Sequence, residues 1–138
     1  MKKKTKLIVL GLITNEKSEF LISQRFDPEV PEAHLKWDLI GGTNEFGEAL
    51  ETTLKREIVE ETGLNCEIQD LMPKSVSRLW EHVDYKMHTV VFCFRCKLLG
   101  GNIHTGCPKI NDLKWVKKES FKKYEFLPTA QVFIDIIK

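Results

Sequence analysis

The sequence predicts one α/β domain with a helix/sheet/helix layering, and three observations carry that reading. Short apolar runs rich in Val, Ile and Phe recur along the chain, bounded by turn-forming residues. Two segments instead carry apolar residues at helical spacing, from Phe46 or Gly47 to Thr62 and from Thr129 to Ile137. Strands interleaved with helices bury their apolar faces most simply with helices on the faces of a sheet.

Taken in chain order, Lys4 to Leu12 and Glu19 to Arg25 are apolar-rich runs separated by the polar cluster Thr14-Asn15-Glu16-Lys17-Ser18, so they are expected to form a hairpin. Phe26 to Lys36 holds Pro28, Pro31 and several charges, the composition of an exposed loop. Trp37 to Ile40 is expected as a short strand running into a Gly41-Gly42 turn. The first helix then carries Leu50, Leu54 and Ile58, spaced by four, as its buried stripe, with Gly63 as its terminator. Cys66 to Leu71, Ser75 to Glu81 and Met87 to Leu98 follow as strand-like runs. The last two are linked through His82 to Lys86, and Gly100-Gly101-Asn102 marks a turn. Asp112 to Val116 reads as a final strand and Lys118 to Phe121 as a short helical or turn element. Val132, Phe133, Ile136 and Ile137 give the C-terminal helix its apolar face after Pro128.

A chain of 138 residues with 42% hydrophobic content fits a single domain, residues 1–138, with a real core. Lys and Arg nearly balance Asp and Glu, leaving a formal net charge of +1, so no global basic field points to nucleic acid or to a membrane surface. The apolar run Leu7 to Ile13 behind Met1-Lys2-Lys3-Lys4 is too short for a signal peptide or a membrane span, and a cytoplasmic protein is expected. Cys93-Phe94-Arg95-Cys96 is formally a C-x-x-C. It lies in a strand-like run, however, where residues three apart point to opposite faces, and no second ligand pair accompanies it. Reduced, structural thiols are expected for Cys66, Cys93, Cys96 and Cys107.

The chemistry concentrates between Gly42 and Leu64. Glu48, Arg56, Glu57, Glu60 and Glu61 stand at fixed offsets between Gly42 and Gly63. Positions one, three and four apart put Glu57, Glu60 and Glu61 on overlapping parts of one helix face. Acidic helix faces are commonly just solvated. Seven specified residue types, each at a background of about one in fifteen, match by chance only on the order of once in 10^8 starts. Two carboxylates about 5 Å apart also repel by roughly 3 kcal/mol at an effective dielectric of 20. A partly buried trio therefore needs Arg56 for one carboxylate and a hard divalent ion, Mg2+ or Mn2+, for the others.

This stretch resembles the Nudix box, G-x5-E-x7-R-E-U-x-E-E-x-G-U with U aliphatic; Ile58 and Leu64 fill the aliphatic positions and every specified position is met. Trp37-Asp38-Leu39-Ile40-Gly41-Gly42 is similar to the family's usual lead-in, with Ile40 where proline is common. The resemblance implies an αβα sandwich with a central mixed sheet, and hydrolysis of a nucleoside diphosphate linked to some group X. Glu57, Glu60, Glu61 and the carbonyl of Gly41 or Gly42 are the expected metal ligands. By similarity, Arg56 orients Glu57, and Glu48 supports that arginine or the metal-bound water. Some relatives supply a loop glutamate six residues before the tryptophan that matches Trp115; Lys109 holds that position here. Glu57 or Glu60 is therefore the expected general base.

For substrate contact, Arg25 suits a phosphate, and Trp80, His82 and Tyr85 offer faces on which a base can stack. Each has a plain structural alternative: a solvated strand end for Arg25 and core packing for the aromatics. The expected partner is a small nucleotide, with the chain a monomer or homodimer. The expected activity is Mg2+- or Mn2+-dependent pyrophosphohydrolysis of a nucleoside triphosphate or nucleotide sugar, releasing a nucleoside monophosphate. A non-catalytic nucleotide sensor on the same fold is the alternative. Isoprenoid diphosphate isomerisation lacks placeable cysteine and glutamate chemistry. RNA decapping lacks a basic stripe beside the box, since Lys117, Lys118, Lys122 and Lys123 form only a modest cluster.

Overall fold

The computed structural model describes residues 1–104 and 106–137. Its elements run β1 (Lys2–Thr14), β2 (Glu19–Arg25), β3 (Trp37–Asp38), β4 (Ile40–Thr43), α1 (Leu50–Thr62), β5 (Asn65–Leu71), β6 (Val76–Glu81), β7 (Tyr85–Gly100), β8 (Ile110–Lys117), a 3-10 turn (Lys118–Lys123) and α2 (Pro128–Asp135). The strands form one mixed sheet. β1 and β7 pair in parallel along the whole of β1, from Lys2↔Tyr85 to Thr14↔Lys97, and all other ladders are antiparallel.

Alternation along the central strands sorts the core into two layers. Leu10, Leu12, Ile22, Val91 and Cys93 pack with Phe121, Phe126, Ala130 and Phe133 on the α2 side. Val9, Ile13, Leu21, Phe94 and Cys96 pack with Leu54 and Ile58 on the α1 side. The helix/sheet/helix order expected from the sequence is thus the order observed. Leu54 and Ile58 are at most 1% exposed, so each contributes about 2 kcal/mol of apolar transfer to holding α1 on the sheet.

Cys93 and Cys96 fall in different layers, as strand alternation requires. Burial pushes the Cys93 thiol up to about 12 and that of Cys66 to about 11, and raises Cys96 as well. No disulfide joins them.

Two local expectations change. Gly41 and Gly42 do not form a turn; they lie inside β4, paired with Leu10 and Val9 of β1. Helix α1 begins at Leu50 rather than Phe46 or Gly47, because Phe46 is fully exposed and Gly47 adopts a left-handed φ of 89°. Its other end is as expected: Gly63 takes φ 75° and its N–H closes on the Val59 carbonyl at 2.9 Å.

Candidate active site

Helix α1 lies against β4, with its last two turns beside the paired glycines. A Cβ at Gly42 would stand 2.6 Å from Glu57 Oε1 and 2.7 Å from Oε2, so only a hydrogen at that position admits the carboxylate against the strand. Glycine serves close approach here rather than turn formation.

Arg56 ties the acidic residues together. Its Nε and Nη2 donate to the two carboxylate oxygens of Glu48 at 3.2 and 3.1 Å, and its Nη1 donates to Glu57 Oε1 at 3.0 Å. Glu60 lies 3.6 Å from the same Nη1 and is more than half exposed. Glu48 also accepts from Thr53 Oγ1 at 2.8 Å and from the Glu45 N–H at 3.1 Å, while Asn44 donates to Thr53 Oγ1 at 2.8 Å. The Arg56 fork, then the Glu45 N–H and the Thr53 hydroxyl, hold the Glu48 carboxyl down to about 2. The guanidinium is raised in turn. The network leaves Glu57 with a fixed orientation toward the strand.

Glu61 behaves oppositely. Burial pushes its carboxyl up to about 8, reinforced by the charge of Glu57, a hydrogen bond with Glu57 and the charge of Asp38; the Gly41 N–H opposes this. Asp38 is raised to about 6 by burial, against the Leu39 N–H at 2.8 Å and the charge of Arg25. Two neighbouring acids thus resist ionising in the protein alone.

Among the described residues no three His, Cys, Asp or Glu side chains are already drawn into a ligand set. Glu57 leans on Arg56, and Glu61 on the Gly41 N–H and on Glu57. The donors nevertheless fit a hard divalent cation. They are carboxylate oxygens at one helix end beside the Gly41-Gly42 pair of β4, and burial penalises the charge of Glu61 in particular.

Arg25 joins this region. The Arg25 guanidinium lies 3.8 Å from Asp38 and 3.6 Å from Asp27. Trp80 and His82 are not brought to the carboxylates. Trp80 donates Nε1 to Thr89 Oγ1 at 3.1 Å, on the sheet face where Arg78 meets Thr129 of α2. Trp80 pairs with Met87, five positions from Phe92 beside Val9, which is about 17 Å along the strand. His82 lies further out, stacked on Tyr85 with centroids 4.4 Å apart. Sequence reasoning passed over Asp38, Thr53 and Asn44. A signal for Asp38 existed, because it alternates with Ile40 and Gly42 onto the face that meets α1.

A mixed sheet between two helices, with an arginine-organised glutamate cluster against the Gly41-Gly42 pair, defines an α/β protein with an acidic site at one helix end. The NUDIX domain matches residues 4–135, and the chain belongs to that family. It is 30% identical over 131 residues to a Mycobacterium tuberculosis protein provisionally named 8-oxo-dGTP diphosphatase 2, covering 93% of this chain and 84% of that one. It is 33% identical over 95 residues to a MutT-like protein of Streptomyces ambofaciens, covering 67% of this chain and only 52% of that protein. The MutT protein of Methanosarcina mazei Go1 superposes with a TM-score of 0.68 at 28% identity, covering 98% of this chain and 91% of that one.

Proposed function

We propose that this protein hydrolyses the diphosphate linkage of a nucleoside diphosphate linked to X, with a nucleoside triphosphate as the first candidate, and releases a nucleoside monophosphate. The observation that carries the reading is the path Glu48–Arg56–Glu57 ending against Gly42, with Glu61 accepting from the Gly41 N–H beside it. The resemblance of the M. tuberculosis relative, by its provisional name, supports a triphosphate.

Glu57, Glu60 and Glu61, with the Gly41 carbonyl, are the residues to hold Mg2+ or Mn2+. When bound, such an ion neutralises diphosphate oxygens and acidifies water. The chain's own groups do the rest. Arg56 pairs with Glu57 and keeps it aimed, while Glu48 locks Arg56 through two bonds and so removes its rotational freedom. Glu61, whose charge burial and Glu57 disfavour, would be a ligand whose ionisation a bound cation favours. Arg25 stands beside Asp38 as a phosphate contact for the end of the substrate nearest β2. Water deprotonation falls to Glu57 or Glu60; Glu60 is the more exposed and the less tightly held.

The test is a panel of nucleoside triphosphates, 8-oxo nucleotides and nucleotide sugars incubated with Mg2+ and with Mn2+, following nucleoside monophosphate release. Metal-dependent product from at least one class is expected. Tight nucleotide binding with no product across the panel would replace this reading with the sensor alternative.

A further inference from the structure

Beyond the core, the first half of β1, all of β6 and the start of β7 project as a three-stranded wing that neither helix covers at its tip. Register makes one face of it a grid of three rows: Arg78–Thr89–Lys6, Trp80–Met87–Lys4 and His82–Tyr85–Lys2. Contacts agree with that placement. Lys4 Nζ lies 4.9 Å over the Tyr85 ring, His82 stacks on Tyr85, and Trp80 reaches Thr89. Lys2, Lys4, Lys6, Trp80 and His82 are all exposed, Trp80 to 48%.

The wing also carries a charge that the whole chain conceals. Residues 1–7 and 76–90 hold six Lys or Arg and two acids, an excess of four positives, where the complete chain has +1. Neither acid spoils the grid: Glu81 alternates to the other face, where it pairs with Lys86 at 3.4 Å, and Asp84 lies in the connecting turn. Expecting no nucleic-acid partner from overall charge balance therefore averages over a local asymmetry.

We infer that this wing face binds single-stranded nucleic acid: the lysine column of β1 follows the phosphates while Trp80 and the His82–Tyr85 pair take bases. Lysines two residues apart along a strand recur every ~6.7 Å, the scale of one nucleotide in an extended single strand. The aromatic column lies two strand spacings away, roughly 10 Å, so one pleated surface offers charge on one side and stacking faces on the other. A duplex would present its bases only by their edges and leave Trp80 unused. An anionic membrane would draw on the same lysines but needs an apolar face to insert, whereas His82 and Tyr85 are stacked on one another and Trp80 is tied to Thr89 through Nε1. This surface faces the α2 side, away from Glu57 and Glu61, and does not depend on the activity proposed above.

The experiment measures fluorescence anisotropy of labelled oligo(dT) and oligo(U), about fifteen nucleotides long, titrated with the full chain from ~50 to ~200 mM salt. With Lys2, Lys4, Lys6 and Arg78 engaged, the slope of log affinity against log salt is expected near −3. The triple variant K2A/K4A/K6A should weaken binding at least tenfold and flatten the slope to about −1, whereas K2R/K4R/K6R should bind as the parent does. Trp80→Ala should weaken binding roughly tenfold with the slope unchanged and abolish the quenching of tryptophan emission by the oligonucleotide. Thermal melts of every variant report folding separately. Absence of binding at micromolar protein would overturn the proposal. So would a folded alanine triple variant that binds like the parent, or binding to anionic phosphatidylserine vesicles that matches the oligonucleotide and ignores Trp80→Ala.

Discussion

Arg56 grips Glu48 through two parallel bonds, Nε to Oε2 at 3.2 Å and Nη2 to Oε1 at 3.1 Å, and spends its remaining nitrogen on Glu57 at 3.0 Å. The two glutamates are nine positions apart in sequence, and the guanidinium joins them. Glu48 sets its plane, and that plane sets where Glu57 points relative to Gly42. A planar fork is required, because an ammonium could pair with either carboxylate without orienting the other.

Replacing Glu48 with Gln removes the charge and one of the two acceptors while keeping the shape. Without its anchor the guanidinium is free to pivot, and the cost should appear as a 10–100-fold fall in kcat/KM, the usual penalty for a lost supporting partner of a metal ligand. Arg56→Lys should cost as much or more, since it loses the fork. Steady-state hydrolysis with saturating Mg2+ checks both, and unaltered kcat/KM in either variant would remove this pair from the mechanism.

Glu61→Gln should act in opposite directions on activity and on stability. The neutral amide cannot serve as an anionic ligand, so metal-dependent turnover should fall by at least about 10^3-fold, roughly 4 kcal/mol of barrier. In chelator near pH 8, however, the variant should melt a few degrees above the parent, because it no longer carries a carboxyl that burial and Glu57 both penalise. Added Mg2+ should raise the parent's melting temperature and leave the variant's unchanged. Paired melts with and without Mg2+ read all three effects.

The parts of this site that a reader of the sequence could locate are those tied to fixed offsets on one helix: Glu57, Glu60 and Glu61, the Leu50–Leu54–Ile58 stripe, and the Gly63 stop. Offsets on a single helix need no partner to be interpreted. Gly41-Gly42 read as a turn because a glycine pair usually signals backbone conformation; here Gly42 records the approach of a carboxylate from another element. β1 starts at Lys2, two residues before the expected Lys4, because Lys2 and Lys3 join the strand by pairing with Tyr85 and Lys86 of β7, with no apolar periodicity to betray it. Trp80 and His82 suit a stacked base by residue type alone, for a related reason. Alternation reveals that a strand has two faces, but only the register of β6 on β7 decides which one turns toward α1.

Acid groups raised on folding make a definite prediction for pH. Glu61, moved from 4.5 to about 8, and Asp38, moved from 3.8 to about 6, bind protons more tightly in the native than in the unfolded chain. Their native forms are penalised once the unfolded carboxyls ionise, so metal-free stability should decline as pH rises from about 4 to about 8. Glu48 works in the other direction: depressed to about 2, it loses its contribution as pH falls from 4.5 toward that value. Metal-free stability should therefore peak in the mildly acidic range, and Mg2+ should lessen the decline on the alkaline side. Urea midpoints in chelator across pH 3 to 8, repeated with Mg2+, test this; a metal-free midpoint that climbs steadily to pH 8 contradicts it.

Gly42→Ala isolates the close approach of helix and strand. The new methyl would stand 2.6 Å from Glu57 Oε1, well inside contact distance, and must displace the carboxylate or part α1 from β4. The carboxylate is the softer element, so Glu57 should swing away and turnover should fall by about 10^2-fold, the scale of a misplacement near 1 Å. The accompanying stability loss should stay near 1–3 kcal/mol, typical of a crowded interface. Gly11→Ala is the matched control. It also faces α1 from a neighbouring strand, yet its Cβ would meet the flexible methyls of Leu54 at 3.2 and 3.4 Å and no site carboxylate. If Gly42→Ala and Gly11→Ala lost similar stability and neither lost turnover, the approach of Glu57 to β4 would have no part in catalysis. A selective collapse of kcat in Gly42→Ala alone would establish that it has one.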